Sequence, residues 1–172
     1  MLTRSRLAVL AFVGGGALGA VAGAGAMLTA YPFLFPPPAS ADALPLARAD
    51  AAPRSTFRFD ETAAGRDPVH WADGSGQLIR GDEGWILRLD ADFKAGPGPN
   101  FWLYLNTRAV AEEGDFNADA GRVRLAKLRS FEGAQNYLLP ASIDPTQFHT
   151  VTVWCESFGA YIASGALRHG AP

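Results

Sequence analysis

Leu7–Leu28 is a run of 22 residues with no charged or strongly polar side chain. As a helix it would span roughly 33 Å, enough to cross the hydrocarbon core of a bilayer. Arg4 and Arg6 precede it, and no Lys or Arg follows until Arg48. That asymmetry predicts a single pass through the cytoplasmic membrane, with everything after the run on the exported side. Two readings of the segment compete. A cleaved signal peptide could use Ala20-Val21-Ala22 or Ala24-Gly25-Ala26 as its small-residue site. An uncleaved anchor fits the length better, because apolar character continues through Met27, Leu28, Tyr31, Phe33, Leu34 and Phe35. Ala39-Ser40-Ala41 also has the A-x-A form, but it lies downstream of Pro36-Pro37-Pro38. Gly15, Gly19 and Gly23 repeat every four residues, a spacing that lets two membrane helices pack closely. Six glycines in so short a run also produce it by chance, which is the simpler account.

The expectation is therefore an anchor or signal segment over residues 1–31, with the membrane contact through residues 7–28. Residues 32–55, rich in Pro and Ala and without periodicity, read as an extended spacer. From about Thr56 the texture changes to short β-branched and aromatic runs between Gly, Asp, Asn and Pro turns. Thr56–Glu61 alternates Phe57 and Phe59 against Arg58 and Asp60. Gln77–Arg80 and Trp85–Leu89 flank Gly81-Asp82-Glu83-Gly84, a hairpin turn. Phe101–Leu105 is apolar on both faces, as a central strand would be. Arg122–Leu125 alternates, and the alternation breaks at Ala126-Lys127-Leu128. Gln147–Glu156 and Ala160–Ala163 are the last two strands. No stretch here has ten residues of helical period. The fold class is all-β: an antiparallel sandwich or small barrel of about seven to nine strands over residues 56–169, plus the N-terminal helix.

From Ala51 onward there are 15 acidic and 12 basic residues, which argues against a nucleic-acid partner. The one cysteine, Cys155, excludes an intrachain disulfide, a CxxC pair and a Cys-rich zinc site. Alternation puts Val151, Val153 and Cys155 on one strand face and Thr152, Trp154 and Glu156 on the other.

In order, the domain carries Gly74-Ser75-Gly76, Leu87-Arg88-Leu89 running into Asp92-Phe93, Gly96-Pro97 and the strand Phe101–Leu105. Val123, Leu125 and Leu128 follow, then Gly133-Ala134-Gln135-Asn136-Tyr137 with Leu139-Pro140, and Val151-Thr152-Val153-Trp154-Cys155 with Phe158. This ordered set resembles the DM13 family, a β-rich extracytoplasmic module labelled an electron-transfer domain. The resemblance runs from near Phe57 to Leu167, and Gln-Asn-Tyr followed by Trp-Cys is its most diagnostic pair. Ala160, Ile162 and Gly165 stand where a larger aliphatic, an aromatic and an alanine are expected, which would leave room for a different cavity behind Cys155. The resemblance implies a general plan similar to haem-binding DOMON sandwiches. It also implies a redox role for Cys155, as a bare thiol or as ligand to a prosthetic group such as haem, with Trp154 beside it as a second cofactor-binding residue. It does not settle whether the protein is an enzyme, and it identifies no redox partner.

The residues also support a plainer reading. A free cysteine on a β face is commonly a small buried hydrophobe, and a reactive one needs a cation or helix N-terminus to lower its pKa. Further ligands would have to come from His70, His149 or His169, because Met1 and Met27 lie outside the domain. His149 is six residues from Cys155, roughly 20 Å along an extended strand. Asp115-Phe-Asn117-Ala-Asp119-Ala-Gly121 opens like a calcium loop, but its glycine is one place late and Ala126 stands at the glutamate position. Ser142 and Ser157 have no nucleophile-elbow context. Arg122 and Arg124 could meet an anion, or simply form the solvent side of a strand. The alternative to redox chemistry is a non-catalytic ligand-binding or adhesion module in which Cys155 only packs.

Overall fold

The computed structural model describes residues 4–45, 55–59 and 69–169. The apolar run lies within one helix, α1 (Arg4–Leu34), long and apolar enough to cross a membrane and wholly exposed over its most apolar window. Pro32 lacks the N–H that a helix needs and its ring crowds the carbonyl one turn back, so the helix stops two residues later. The backbone N–H of Phe35 donates to Tyr31 O (2.8 Å) and closes that end.

Among the described residues, ten strands make two sheets, and neither closes into a barrel. The first runs in the order β1 (Ser40–Ala41), β8 (Gly133–Leu138), β4 (Trp85–Leu89), β3 (Ala72–Arg80), β2 (Ser55–Phe59), with β5 (Lys94–Ala95) also on β3. The second runs β10 (Ala160–Ala166), β9 (Thr150–Cys155), β6 (Phe101–Asn106), β7 (Val123–Lys127). The count exceeds the expected seven to nine by strands such as β1 and β5. Each is two residues long, too short to leave an alternation in the sequence. Arg48, Asp60 and Glu61 lie outside the described residues.

Local chemistry explains the elements. The Gly81 N–H donates to Gly84 O (2.9 Å), closing the expected β3–β4 hairpin. β6 lies between β9 and β7, as a strand apolar on both faces should. The break at Ala126 is a bulge: Leu103 pairs Ala126 and Tyr104 pairs Arg124, so Leu125 is the extra residue. The β9 strand starts later than expected, since Pro145–Gln147 forms a single 3-10 turn capped by Asp144. β10 runs on to Ala166.

The core fills the space between the sheets. Phe57, Phe59, Leu87 and Leu89 come from one side, and Leu103, Leu105, Val151 and Val153 from the other. Each fully buried side chain of this size stabilises the fold by about 1.5–3 kcal/mol relative to exposure. The sheets are stitched at one edge by backbone bonds from Thr56 N to Arg168 O (3.0 Å) and from Arg168 N to Thr56 O (2.8 Å). A smaller cluster lies on the outer face of the second sheet, where Phe116 of α2 (Glu113–Ala118) stacks on Trp154 at 4.0 Å between ring centres.

Within the 32–55 stretch, Pro32–Leu34 complete α1 and Ser40–Ala41 pairs in parallel with β8. The Asp42 carboxylate accepts from Asn136 N (2.8 Å) and from Arg129. Buried Arg88 donates to the carbonyls of Asp42 (3.2 Å) and Ala43 (3.1 Å). The chain after the helix is thus clamped to the sheet within a few residues.

Candidate functional site

Cys155 ends β9, and its backbone pairs with Phe101 on β6 and Ala160 on β10. The strand alternation sends its side chain inward, where it is 1% exposed among core residues. Above it runs the strap Gly96-Pro97-Gly98-Pro99-Asn100. Two prolines stiffen this strap, and Asn100 turns it back into β6 at φ 60°, a left-handed conformation that asparagine tolerates. The strap is held to β9 by Glu156 N donating to Asn100 O (3.2 Å). The Cys155 thiol donates to Pro99 O at 3.1 Å. Burial raises the thiol pKa above its ordinary value, while the N–H groups of Phe158 and Ser157 pull in the opposite direction. The result is a protonated, shielded sulfur.

Trp154, one residue earlier, points to the other face of the sheet and lies beneath α2. The structure therefore does not bring the Cys155 and Trp154 side chains together. His149 and His169 are not around the sulfur either. His149 is exposed and adjoins the opposite end of β9. His169 is held by two contacts, with Nδ1 2.8 Å from Ser55 Oγ and Nε2 3.0 Å from Phe148 O. His70 sits next to Trp71, whose carbonyl accepts from Gly96 N (3.0 Å) at the foot of the strap. Gly165 opens no cavity behind the thiol. A Cβ there would stand 2.8 Å from Arg58 O, so glycine is what lets β2 approach β10. Haem does not fit this arrangement, because the sulfur is packed on the core side and its one polar contact is already spent on the strap.

The other sequence candidates resolve into structural roles. Asp119, buried, accepts from Thr107 N (2.9 Å), Thr107 Oγ1 (2.7 Å) and Gly121 N (3.0 Å), so the calcium-like stretch is a staple for its own loop. Arg122 donates to Phe116 O (3.2 Å) and Asp119 O (2.8 Å), closing α2. Arg124 pairs with Glu156 (3.1 Å) and covers Trp102 at 4.4 Å. Glu156 also accepts from the Tyr104 hydroxyl at 2.7 Å. Burial and this carboxylate push the Tyr104 pKa up to about 12. Burial would raise the Glu156 pKa, but the bonds from Tyr104 and Arg124 outweigh it and hold the group below the usual carboxylate value. The Tyr104–Glu156 pair was invisible in the sequence, because its members lie 52 residues apart.

The Gln-Asn-Tyr segment also has a physical explanation. Gln135, fully buried, accepts from Ser130 N (3.0 Å) and the Tyr137 hydroxyl (2.6 Å) and donates to Ser130 O (3.0 Å). Asn136, on the opposite face of β8, holds Ala43 O (2.8 Å) and accepts from Arg88 (2.8 Å). One face of the motif braces the loop after β7, and the other fastens the chain arriving from the helix.

A family model described as Electron transfer DM13 matches residues 65–167. No curated protein and no solved structure matches the chain. With the motif residues on both faces of β8 and the Trp-Cys step of β9 inside that match, the chain belongs to the DM13 family.

Proposed function

We propose that this protein is a membrane-tethered, extracytoplasmic DM13 domain that works in thiol redox chemistry through Cys155. The observation that carries the proposal is the setting of the sulfur. It is the chain's one thiol, held under a proline-stiffened strap where it donates to Pro99 O, and the N–H groups of Ser157 and Phe158 favour its thiolate. When hydrogen peroxide oxidises the thiolate, sulfur takes one oxygen and loses two electrons. The peroxide O–O bond breaks, and the other oxygen leaves as hydroxide and takes up a proton to become water. The electron-transfer description of the family supports a redox role in general terms. The apolar helix and the positive residues before it support a tether with the domain exported.

The test is the reactivity of folded, full-length protein. Treatment with hydrogen peroxide followed by dimedone should give a single adduct at Cys155 without denaturant. If no adduct forms until the protein unfolds, and freshly purified protein shows no chromophore, the redox reading fails.

A second reading has its own support. The raised pKa and the core position suit a cysteine that only packs, in a module that binds or adheres without catalysis. It requires that Cys155→Ala and Cys155→Ser retain cellular function at a stability cost of about 1 kcal/mol. Loss of function in a variant that still folds cooperatively excludes it.

A further inference from the structure

The end of α1 and one end of the domain line an open cavity of about 320 Å³. Leu28, Tyr31 and Phe35 line it from the helix side, and Phe101, Leu128 and Phe131 from the domain. Phe101 and Phe131 meet edge to face at 5.8 Å, which makes a firm apolar wall. Lys127 brings a cation into the lining.

The helix itself sets the depth of this cavity. The apolar run begins immediately after Arg6, and about twenty residues at 1.5 Å each cross the hydrocarbon core. That places the exit near Ala26 and puts Leu28 through Phe35 in the headgroup layer, where a tyrosine is at home. The strap Gly96–Asn100 and the turn after β9 occupy the same end of the domain, since Glu156 N binds Asn100 O there. That end also exposes Phe158 (58%) and Val69 (40%), large apolar side chains outside the helix.

On the reading of α1 as an anchor, we propose that this cavity is a phospholipid site. An anionic lipid of the bilayer lays an acyl chain between the helix end and the Phe101–Phe131 wall and sets its phosphate against Lys127. The lining is mainly apolar, carries one cation, Lys127, and on the anchor reading sits at the depth where acyl chains and phosphates meet.

The test uses full-length protein reconstituted in vesicles of phosphatidylcholine and phosphatidylglycerol. In separate arms, one or the other lipid carries a photoreactive acyl chain, and adducts are mapped by peptide mass spectrometry. Adducts are expected on residues 98–101 and 128–131 as well as on α1, with phosphatidylglycerol favoured roughly fivefold, the effect of one basic side chain near the surface. Lys127→Gln, at an exposed position, should abolish that preference. Leu28→Trp should fill the cavity and remove the domain adducts while leaving those on the helix. Labelling confined to α1, or equal labelling from both lipids in the wild-type chain, overturns the site but leaves the tether. Extraction of the chain from vesicles by alkaline carbonate overturns both.

Discussion

Cys155 combines two properties that oppose each other, burial that disfavours the thiolate and two N–H groups that favour it. Burial dominates, so alkylation of the folded protein should have a midpoint above the ordinary thiol value of 9.0, and unfolded protein should react at lower pH. A stopped-rate series with iodoacetamide across pH checks this. Because the folded value is the higher one, the thiol's contribution to stability is full below the unfolded value and is lost as pH rises through the folded one. Gln135 is the residue on which the family motif turns. Gln135→Leu should destabilise the domain by about 2–3 kcal/mol in chemical denaturation, because it strands the buried Ser130 N–H and carbonyl without partners. The inward face of β9 was legible from alternation alone, and so was Trp154's place on the other side. The partners of these residues were not: Pro99, Phe116 and Glu156 reach their contacts across dozens of residues, and periodicity reports only faces.

Most strands of five or more residues announced themselves through alternation and turn chemistry, but β8 did not, and only the second half of β3 did. The elements that escaped were short or depended on distant contacts. β1 and β5 have two residues each, and α2 is six residues long. α2 nevertheless covers the outer face of the second sheet. Phe116→Ala should therefore cost about 3 kcal/mol and raise amide exchange in β9, read by hydrogen–deuterium exchange. β1 depends on Asp42, whose pKa is lowered first by the Asn136 N–H and then by Arg129. Its contribution to stability is present above the unfolded carboxylate value of 3.8 and disappears as pH falls through the lower folded value. Asp42→Asn should accordingly flatten the acid limb of the stability curve below about pH 4. It should also make residues 38–43 accessible to protease at neutral pH.

The whole sandwich was readable as a class because four tryptophans and many Phe and Leu alternate with polar residues at turn spacing. How its two sheets are joined was not, since the join consists of backbone bonds between Thr56 and Arg168 that no side-chain pattern records. A chain ending at Leu167 loses that bridge together with both His169 contacts. It should lose about 2 kcal/mol and melt roughly 5–10 °C lower in a calorimetric scan.

Only Phe35–Ala39 separates the end of α1 from the clamped strand β1. Five residues extend to about 18 Å at most, and three of them are consecutive prolines that resist folding back. With α1 in a bilayer, as proposed above, such a leash would forbid the domain from sweeping the surrounding compartment in search of a reaction partner. Its capture radius would be a thin shell over the lipid, so whatever met this domain would itself be carried in the membrane or delivered to its surface.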